Sequence, residues 1–288
     1  MFKKLIEKSK TLLLLGRYNY PTGAFLLMWP CFWGVVYEIN LEKNILLTLF
    51  LLAIGSLTMR GAGCCINDFF DKDFDKKVLR TKNRPLAKGI LSKKEAIIFI
   101  FFQMIIGLMI VIQFNIKVIL FSFAIIPLII IYPLFKRITD YPQIILGLIF
   151  NWGIIVGFLT QNPELSLGTL FLYFGGFFLT IGYDTIYGFQ DIRDDKRIGV
   201  KSLSLKLEKK PKYFVFLIYL VSQIFFTIAF LIKSSNLFAS LLLSLILFFC
   251  ISWQYYAFTQ KIPLKKIFDF NAYQGGIIFL IIFSLNYL

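Results

Sequence analysis

Residues 44–78 read NILLTLFLLAIGSLTMRGAGCCINDFFDKDFDKKV: some twenty almost uncharged residues run straight into the acidic cluster Asn67, Asp68, Asp71, Asp73 and Asp75. The apolar part is long enough to cross a hydrocarbon core as a helix at ~1.5 Å per residue. The acidic part is costly beside lipid, so a functional reason for it is the first expectation. The same juxtaposition recurs once. An apolar run over residues 167–188 leads through Tyr183, Asp184 and Tyr187 to Asp191, Asp194 and Asp195. Half of the 16 acidic residues of the 288-residue chain lie in these two windows.

Working outward, apolar runs alternate with charged clusters along the whole chain. Hydrophobic residues make up 58% and charged residues 16%, and the mean hydropathy is +0.75. That composition predicts an all-α integral membrane protein. Spans are expected near 18–38, 44–64, 96–114, 117–135, 142–160, 167–188, 213–232, 236–257 and 271–288. Ser92 and Glu95 form a capping-box pattern opening the third. Pro21, Pro30, Pro127 and Pro133 predict kinks or helix ends. With nine spans, 27 of the 31 Lys and Arg fall on one side. This predicts a cytoplasmic N-terminus and both acidic clusters on the cytoplasmic face. The tail carrying Lys3, Lys4, Lys8, Lys10 and Arg17 lacks the pattern of a signal or transit peptide. It reads as a cytoplasmic lead-in with Leu12 to Leu15 dipping into the interface, and a bacterial inner membrane is the expected location. Residues 1–288 read as one domain. The four-span gap between the clusters suggests a four-helix pseudo-repeat, 18–135 and 142–257.

The net charge of +15 is explained by loops facing anionic lipid, so no nucleic-acid partner is expected. Cys31, Cys64, Cys65 and Cys250 form no Cys-x-x-Cys pair and read as core residues. The absence of histidine removes imidazole bases and the usual zinc sites. On a helix, Asp71 and Asp75 share a face, as do Asp191 and Asp195, and Asp68 can join the first pair. Mg2+ commonly takes one or two carboxylates and completes its shell with water and phosphate oxygens. Two such pairs on one membrane face therefore suit a metal-bound diphosphate, with Lys and Arg contacting the same oxygens. Phe70, Tyr132, Tyr183 and Tyr187 could stabilise an allylic cation through their ring faces. A transporter would carry ionisable residues near span midpoints, and the third, fourth, fifth, seventh and eighth spans have none. The Asp-Gly and Ala-Arg motif of alcohol phosphatidyltransferases is absent.

The segment Met59 to Val78, followed by Arg80-Thr81-Lys82-Asn83-Arg84-Pro85-Leu86-Ala87-Lys88-Gly89, closely resembles the 4-hydroxybenzoate polyprenyltransferase family, the UbiA type of aromatic prenyltransferase. The family's N-D-x-x-D-x-x-x-D is matched by Asn67, Asp68, Asp71 and Asp75, and its D-x-x-x-D by Asp191 and Asp195. Arg17 to Pro30, Tyr132 to Arg137, and Ile198-Gly199-Val200-Lys201-Ser202 are similar as well. The resemblance covers about residues 15–205. It implies a nine-helix bundle around a central cavity and Mg2+-dependent transfer of a polyprenyl group from polyprenyl diphosphate to 4-hydroxybenzoate in ubiquinone synthesis. No obligate protein partner is evident in the sequence. By motif match, Asp71, Asp75, Asp191 and Asp195 would hold the Mg2+–diphosphate, supported by Asn67 and Asp68. Arg137 would bind the acceptor carboxylate. Arg17, Arg60, Tyr183, Tyr187 and Lys201 are further substrate-site candidates. Haem, a naphthoate or a chlorophyll precursor is the alternative acceptor class.

Overall fold

A computed structural model describes residues 2–288; the side chains of residues 2–5, those of Lys3 and Lys4 among them, lie outside that description. Its elements are all helical: α1 (Phe2–Leu15), α2 (Thr22–Tyr37), α3 (Ile45–Asp75), α4 (Lys93–Val111), α5 (Ile116–Ala124), α6 (Ile126–Ile138), α7 (Pro142–Gln161), α8 (Leu167–Gly188), α9 (Ile192–Ile198), α10 (Leu203–Lys206), α11 (Pro211–Lys233), α12 (Leu237–Thr259) and α13 (Leu264–Ser284). Taking α5 and α6 as one crossing, eight helices among the described residues are long and apolar enough to span a membrane. The ninth expected span is α2. It has 16 residues, ~24 Å of helix against a ~30 Å hydrocarbon core.

Local sequence sets the helix ends. Asn44 accepts from the Leu47 backbone N–H at 3.0 Å and opens α3. The capping box forms as expected: Ser92 Oγ accepts from the Glu95 N–H at 3.2 Å, and Glu95 Oε2 accepts from the Ser92 N–H at 2.7 Å. The fourth span is interrupted at Ile125, with Pro127 in the first turn of α6, where its missing N–H costs nothing. Several expected boundaries shift. The first span starts at Thr22 because Arg17 to Pro21 form a turn, and the last starts at Leu264, seven residues early. The largest change is α3, which continues unbroken to Asp75 instead of ending near 64. Charged residues can extend a helix beyond the lipid, and hydropathy does not register that extension.

At the centre, α2 packs against α7, α3 and α13, and α8 packs against α7 and α11. Tyr37, Phe158, Ile154, Leu172, Phe226 and Phe230 are fully buried there. The α2–α7 crossing is backbone on backbone. A Cβ on Gly157 would run into the Cys31 carbonyl oxygen, and one on Gly34 into that of Ile154. Small residues at such crossings let dispersion contacts replace the hydrophobic drive that lipid removes. A second, smaller core of Leu15, Cys65, Leu86, Leu91 and Ala96 fastens α1 and the 76–92 segment to α3, and so fixes the polar mouth of the bundle.

Candidate active site

The bundle encloses a cavity of ≈ 660 Å³. Most of its wall is apolar, from α3, α4, α5, α6 and α7. One end is cationic, with Arg17, Arg60, Arg80, Arg84 and Lys136 in the wall beside Asn67, Tyr132, Tyr183, Asp184 and Tyr187.

The first acidic cluster occupies the last turns of α3. Asp68 is fully buried and accepts from Arg17 at 2.7 and 3.1 Å. Arg84 Nη1 reaches Asp68 Oδ1 at 3.1 Å and both oxygens of Asp75 at 3.0 and 2.8 Å. Asp71 faces elsewhere: Lys136 Nζ lies 3.5 Å from its Oδ2 and Arg137 Nη2 3.7 Å from its Oδ1. Asp71 and Asp75 were expected to act as a pair, yet they share no cation. Asp75 instead pairs with Asp68, two turns back on the same face. Lys136 also donates to Asn67 Oδ1 at 3.3 Å.

The second cluster is held by the loop that follows the first. Arg80 grips Asp191 bidentately, Nε to Oδ1 at 2.9 Å and Nη2 to Oδ2 at 2.6 Å, the strong geometry for this pair. The Leu79 N–H donates to Asp194 at 3.2 Å. Asp191 immediately precedes α9, and the Asp195 N–H donates to its carbonyl at 2.9 Å, so both sit on one turn. Burial, then the neighbouring Asp191 charge, push the Asp195 carboxyl up to about 6. For Arg80, burial opposes the charge, but the bond to Asp191 and its field outweigh it and hold the guanidinium above its ordinary value. Arg17 behaves likewise through Asp68. Its backbone has φ 61°, a left-handed conformation unusual for a bulky residue. The elbow between α1 and α2 is thus bent sharply where it delivers this guanidinium.

Several expected site residues land differently. Arg137 does not line the cavity. It donates to the Phe70 carbonyl at 2.9 Å and lies 4.8 Å from the Phe74 ring centroid. One residue is ~100° of helical rotation, and Lys136 takes the cavity side instead. Lys201 is also outside the wall. Its N–H donates to the Lys136 carbonyl at 2.9 Å and its Nζ to that of Ile138 at 3.2 Å, so it tethers the segment after α9 to α6. Arg60 is in the wall, 5.5 Å from the Phe150 ring centroid, with no carboxylate within ion-pair distance among the described residues. Tyr183 is buried, and Tyr187 stacks on Phe268 at 4.2 Å. Sequence reasoning assigned no role to Arg80, Arg84, Lys136 or Asp184. The i, i+4 spacing of Arg80 and Arg84, matching that of the carboxylates, was the available signal.

The donor set fits a hard cation that arrives with phosphate. Asp71, Asp75, Asp191 and Asp195 offer only oxygen. Among the described residues no three His, Cys, Asp or Glu side chains gather as a ready-made cage. One or two carboxylates per ion is the protein share Mg2+ takes when substrate phosphates complete its shell.

A sequence model of the UbiA prenyltransferase family matches residues 27–280. A Drosophila melanogaster protein named 4-hydroxybenzoate polyprenyltransferase, mitochondrial, is 42% identical over 212 residues, covering 73% of this chain and 54% of that protein. The chain thus spans about half the length of the curated relatives it matches. Among solved structures, the apo UbiA homolog from Aeropyrum pernix K1 superposes with a TM-score of 0.76 at 22% identity, covering 92% of this chain and 98% of that one. A UbiA homolog from Archaeoglobus fulgidus bound to DMAPP and Mg2+ gives 0.74 at 16% identity, covering 94% and 99%. These two share the fold.

Proposed function

Starting from the fact that this chain belongs to the UbiA prenyltransferase family, we propose that it transfers a polyprenyl group from polyprenyl diphosphate to 4-hydroxybenzoate. The new bond forms at the ring carbon ortho to the hydroxyl, in ubiquinone synthesis. The carrying observation is that the cations gripping both acidic clusters, Arg80 and Arg84, line one apolar cavity together with the unpaired Arg60. Such a chamber suits a donor with a long apolar tail and a diphosphate head, and an acceptor that is an aromatic anion. The DMAPP and Mg2+ in the Archaeoglobus homolog support the same donor class.

Asp71, Asp75, Asp191 and Asp195 would hold Mg2+, which when bound neutralises charge on the departing diphosphate. Asn67 and Asp68 serve that site indirectly, Asn67 through Lys136 and Asp68 by fixing Arg17 and Arg84. Arg80, Arg84 and Lys136 are placed to take the diphosphate oxygens. As the C1–oxygen bond breaks, the faces of Tyr132, Tyr183 and Tyr187 shield the allylic cation. Arg60 reads the acceptor carboxylate, the task the sequence suggested for Arg137. Holding ring and C1 in contact supplies much of the acceleration, and the ring proton leaves to a carboxylate or to the released diphosphate.

We further propose nine crossings, with α2 as the ninth, and both acidic clusters on the cytoplasmic face of a bacterial inner membrane. The lopsided distribution of Lys and Arg supports the orientation. The test is to incubate membranes with polyprenyl diphosphate, Mg2+ and a panel of 4-hydroxybenzoate, a dihydroxynaphthoate and haem, reading products by mass spectrometry. Prenylated 4-hydroxybenzoate is expected, with turnover lowered about 10²-fold or more in Asp71→Asn and Asp191→Asn. Transfer to another acceptor alone, or near-normal turnover in both variants, overturns the reading.

A further inference from the structure

Asp68, Asp71, Asp75 and Asp191 each have a Lys or Arg within ion-pair distance. Two of these cations, Arg80 and Arg84, come from a single segment, residues 76–92, between α3 and α4, while Arg17 holds Asp68 from the α1–α2 turn. Arg84 Nη1 contacts three oxygens on two carboxylates. Arg80 occupies both oxygens of Asp191. The segment is not free to swing away. Val78, Leu86 and Leu91 are buried, and Thr81 Oγ1 donates to the Asp75 carbonyl at 3.0 Å. A divalent ion entering alone must therefore displace a guanidinium that stays within a few ångströms of it, unpaired and of like charge. A divalent ion entering with a diphosphate meets the opposite situation, because the displaced guanidinium finds phosphate oxygens at once.

We infer that Arg80 and Arg84 are counter-ion latches: they close the two acidic clusters to a bare divalent cation and yield them to a cation that arrives with a phosphorylated ligand. This inference rests on the proposed metal role of the carboxylates. Metal and anion then bind as one event, and by linkage each raises the other's affinity by the same factor. The prenyl tail plays no part in the coupling, so inorganic pyrophosphate suffices to release the latch. The arrangement keeps the centre from filling with metal when donor is absent, and it couples metal loading to donor supply.

The test uses the full chain in phosphatidylcholine nanodiscs and reads protein-bound Mn2+ by electron paramagnetic resonance, with and without pyrophosphate. Wild type is expected to bind bare Mn2+ weakly and to gain at least 10²-fold when pyrophosphate is present. Arg84→Gln and Arg80→Gln, acting on separate clusters, are each expected to bind bare Mn2+ at least tenfold more tightly than wild type. Lys82→Gln removes one exposed positive charge from the same segment and is expected to change nothing. Circular dichroism identifies a variant that has lost its fold, and the other arginine variant then decides. Unchanged bare-Mn2+ affinity in the folded arginine variants, or an equal gain in Lys82→Gln, overturns the latch. Absence of Mn2+ binding in every protein even with pyrophosphate overturns the metal assignment, and the latch with it.

Discussion

Arg60 gives the sharpest test of how the proposed acceptor is read. Its guanidinium lies in the cavity wall against Phe150 and is the wall's one arginine without an ion pair among the described residues. Arg17, Arg80 and Arg84 are all committed to carboxylates. The position is set by Gly23, where a Cβ would stand 2.5 Å from Arg60 Nε. Replacing Arg60 by Ala leaves an aromatic carboxylate without a partner in a mainly apolar chamber. Stranding one member of a desolvated charge pair costs about 2–4 kcal/mol, or roughly 30- to 700-fold at 1.4 kcal/mol per tenfold. The carboxylate is present in ground and transition states alike, so the loss belongs in the acceptor KM, with kcat less affected. Arg60→Lys should recover part of it, since an ammonium cannot make the bidentate contact. Gly23→Ala should raise the acceptor KM more mildly, by nudging the flexible guanidinium. The assay is steady-state kinetics in proteoliposomes with each substrate varied in turn, repeated with methyl 4-hydroxybenzoate, where the Arg60→Ala penalty should vanish. A penalty of equal size with the ester, or one confined to the KM of the prenyl donor, would refute the assignment. So would an acceptor defect in Arg137→Ala that Arg60→Ala lacks.

Gly157→Ala should destabilise the bundle by about 1–3 kcal/mol, because the new methyl meets the Cys31 backbone at the α2–α7 crossing; thermal unfolding in detergent measures this, and an unchanged midpoint refutes it. Asp195 is raised from 3.8 to about 6 by burial and Asp191, so its ionisation opposes folding. Its stabilising contribution is complete below about pH 4 and is lost as pH rises through 6. Metal-free protein in EDTA should therefore show that loss in its unfolding midpoint, and Asp195→Asn should abolish the step. Reporters inserted in the 76–92 and 199–210 segments should lie on one side of the membrane and a reporter in 112–115 on the other; a split between the first two would break the common face of the acidic clusters.

Most of the architecture is legible in the chain because lipid imposes long apolar runs, and Ser92 with Glu95 or Pro127 then mark the breaks. The end of α3 was hidden for the complementary reason. Asn67 to Asp75 are polar, and hydropathy cannot separate a projecting helix from a loop. The carboxylates were conspicuous because acid is rare beside lipid. Their partners were not: Arg80 and Arg84 sit among Lys76, Lys77, Lys82 and Lys88, and only folding selects which of these cations turn inward. Lys136 and Arg137 show the same limit at single-residue scale. Adjacent cations are equivalent in a sequence, but on a helix they face different neighbours. Asp184 was visible as a carboxylate, but its place in the cavity wall depends on how α8 is rotated in its packing against α7 and α11.

The length of α3 also bears on the physical phase in which the proposed donor would be encountered. At 1.5 Å per residue its 31 residues measure ~46 Å, about 16 Å more than a hydrocarbon core. Counted from Ile45, Asn67 is reached after ~33 Å of helix, just beyond the ~30 Å thickness of a hydrocarbon core. The diphosphate of a membrane-dissolved polyprenyl lipid already lies at that depth, so the tail need not be drawn out of the bilayer at about 0.8 kcal/mol per methylene. For the proposed polyprenyl donor, encounter thereby becomes a two-dimensional problem: saturation should follow the mole fraction of donor among the lipids and fall on dilution with inert lipid at constant bulk amount. The proposed aromatic acceptor, arriving from water, should obey ordinary volume concentration.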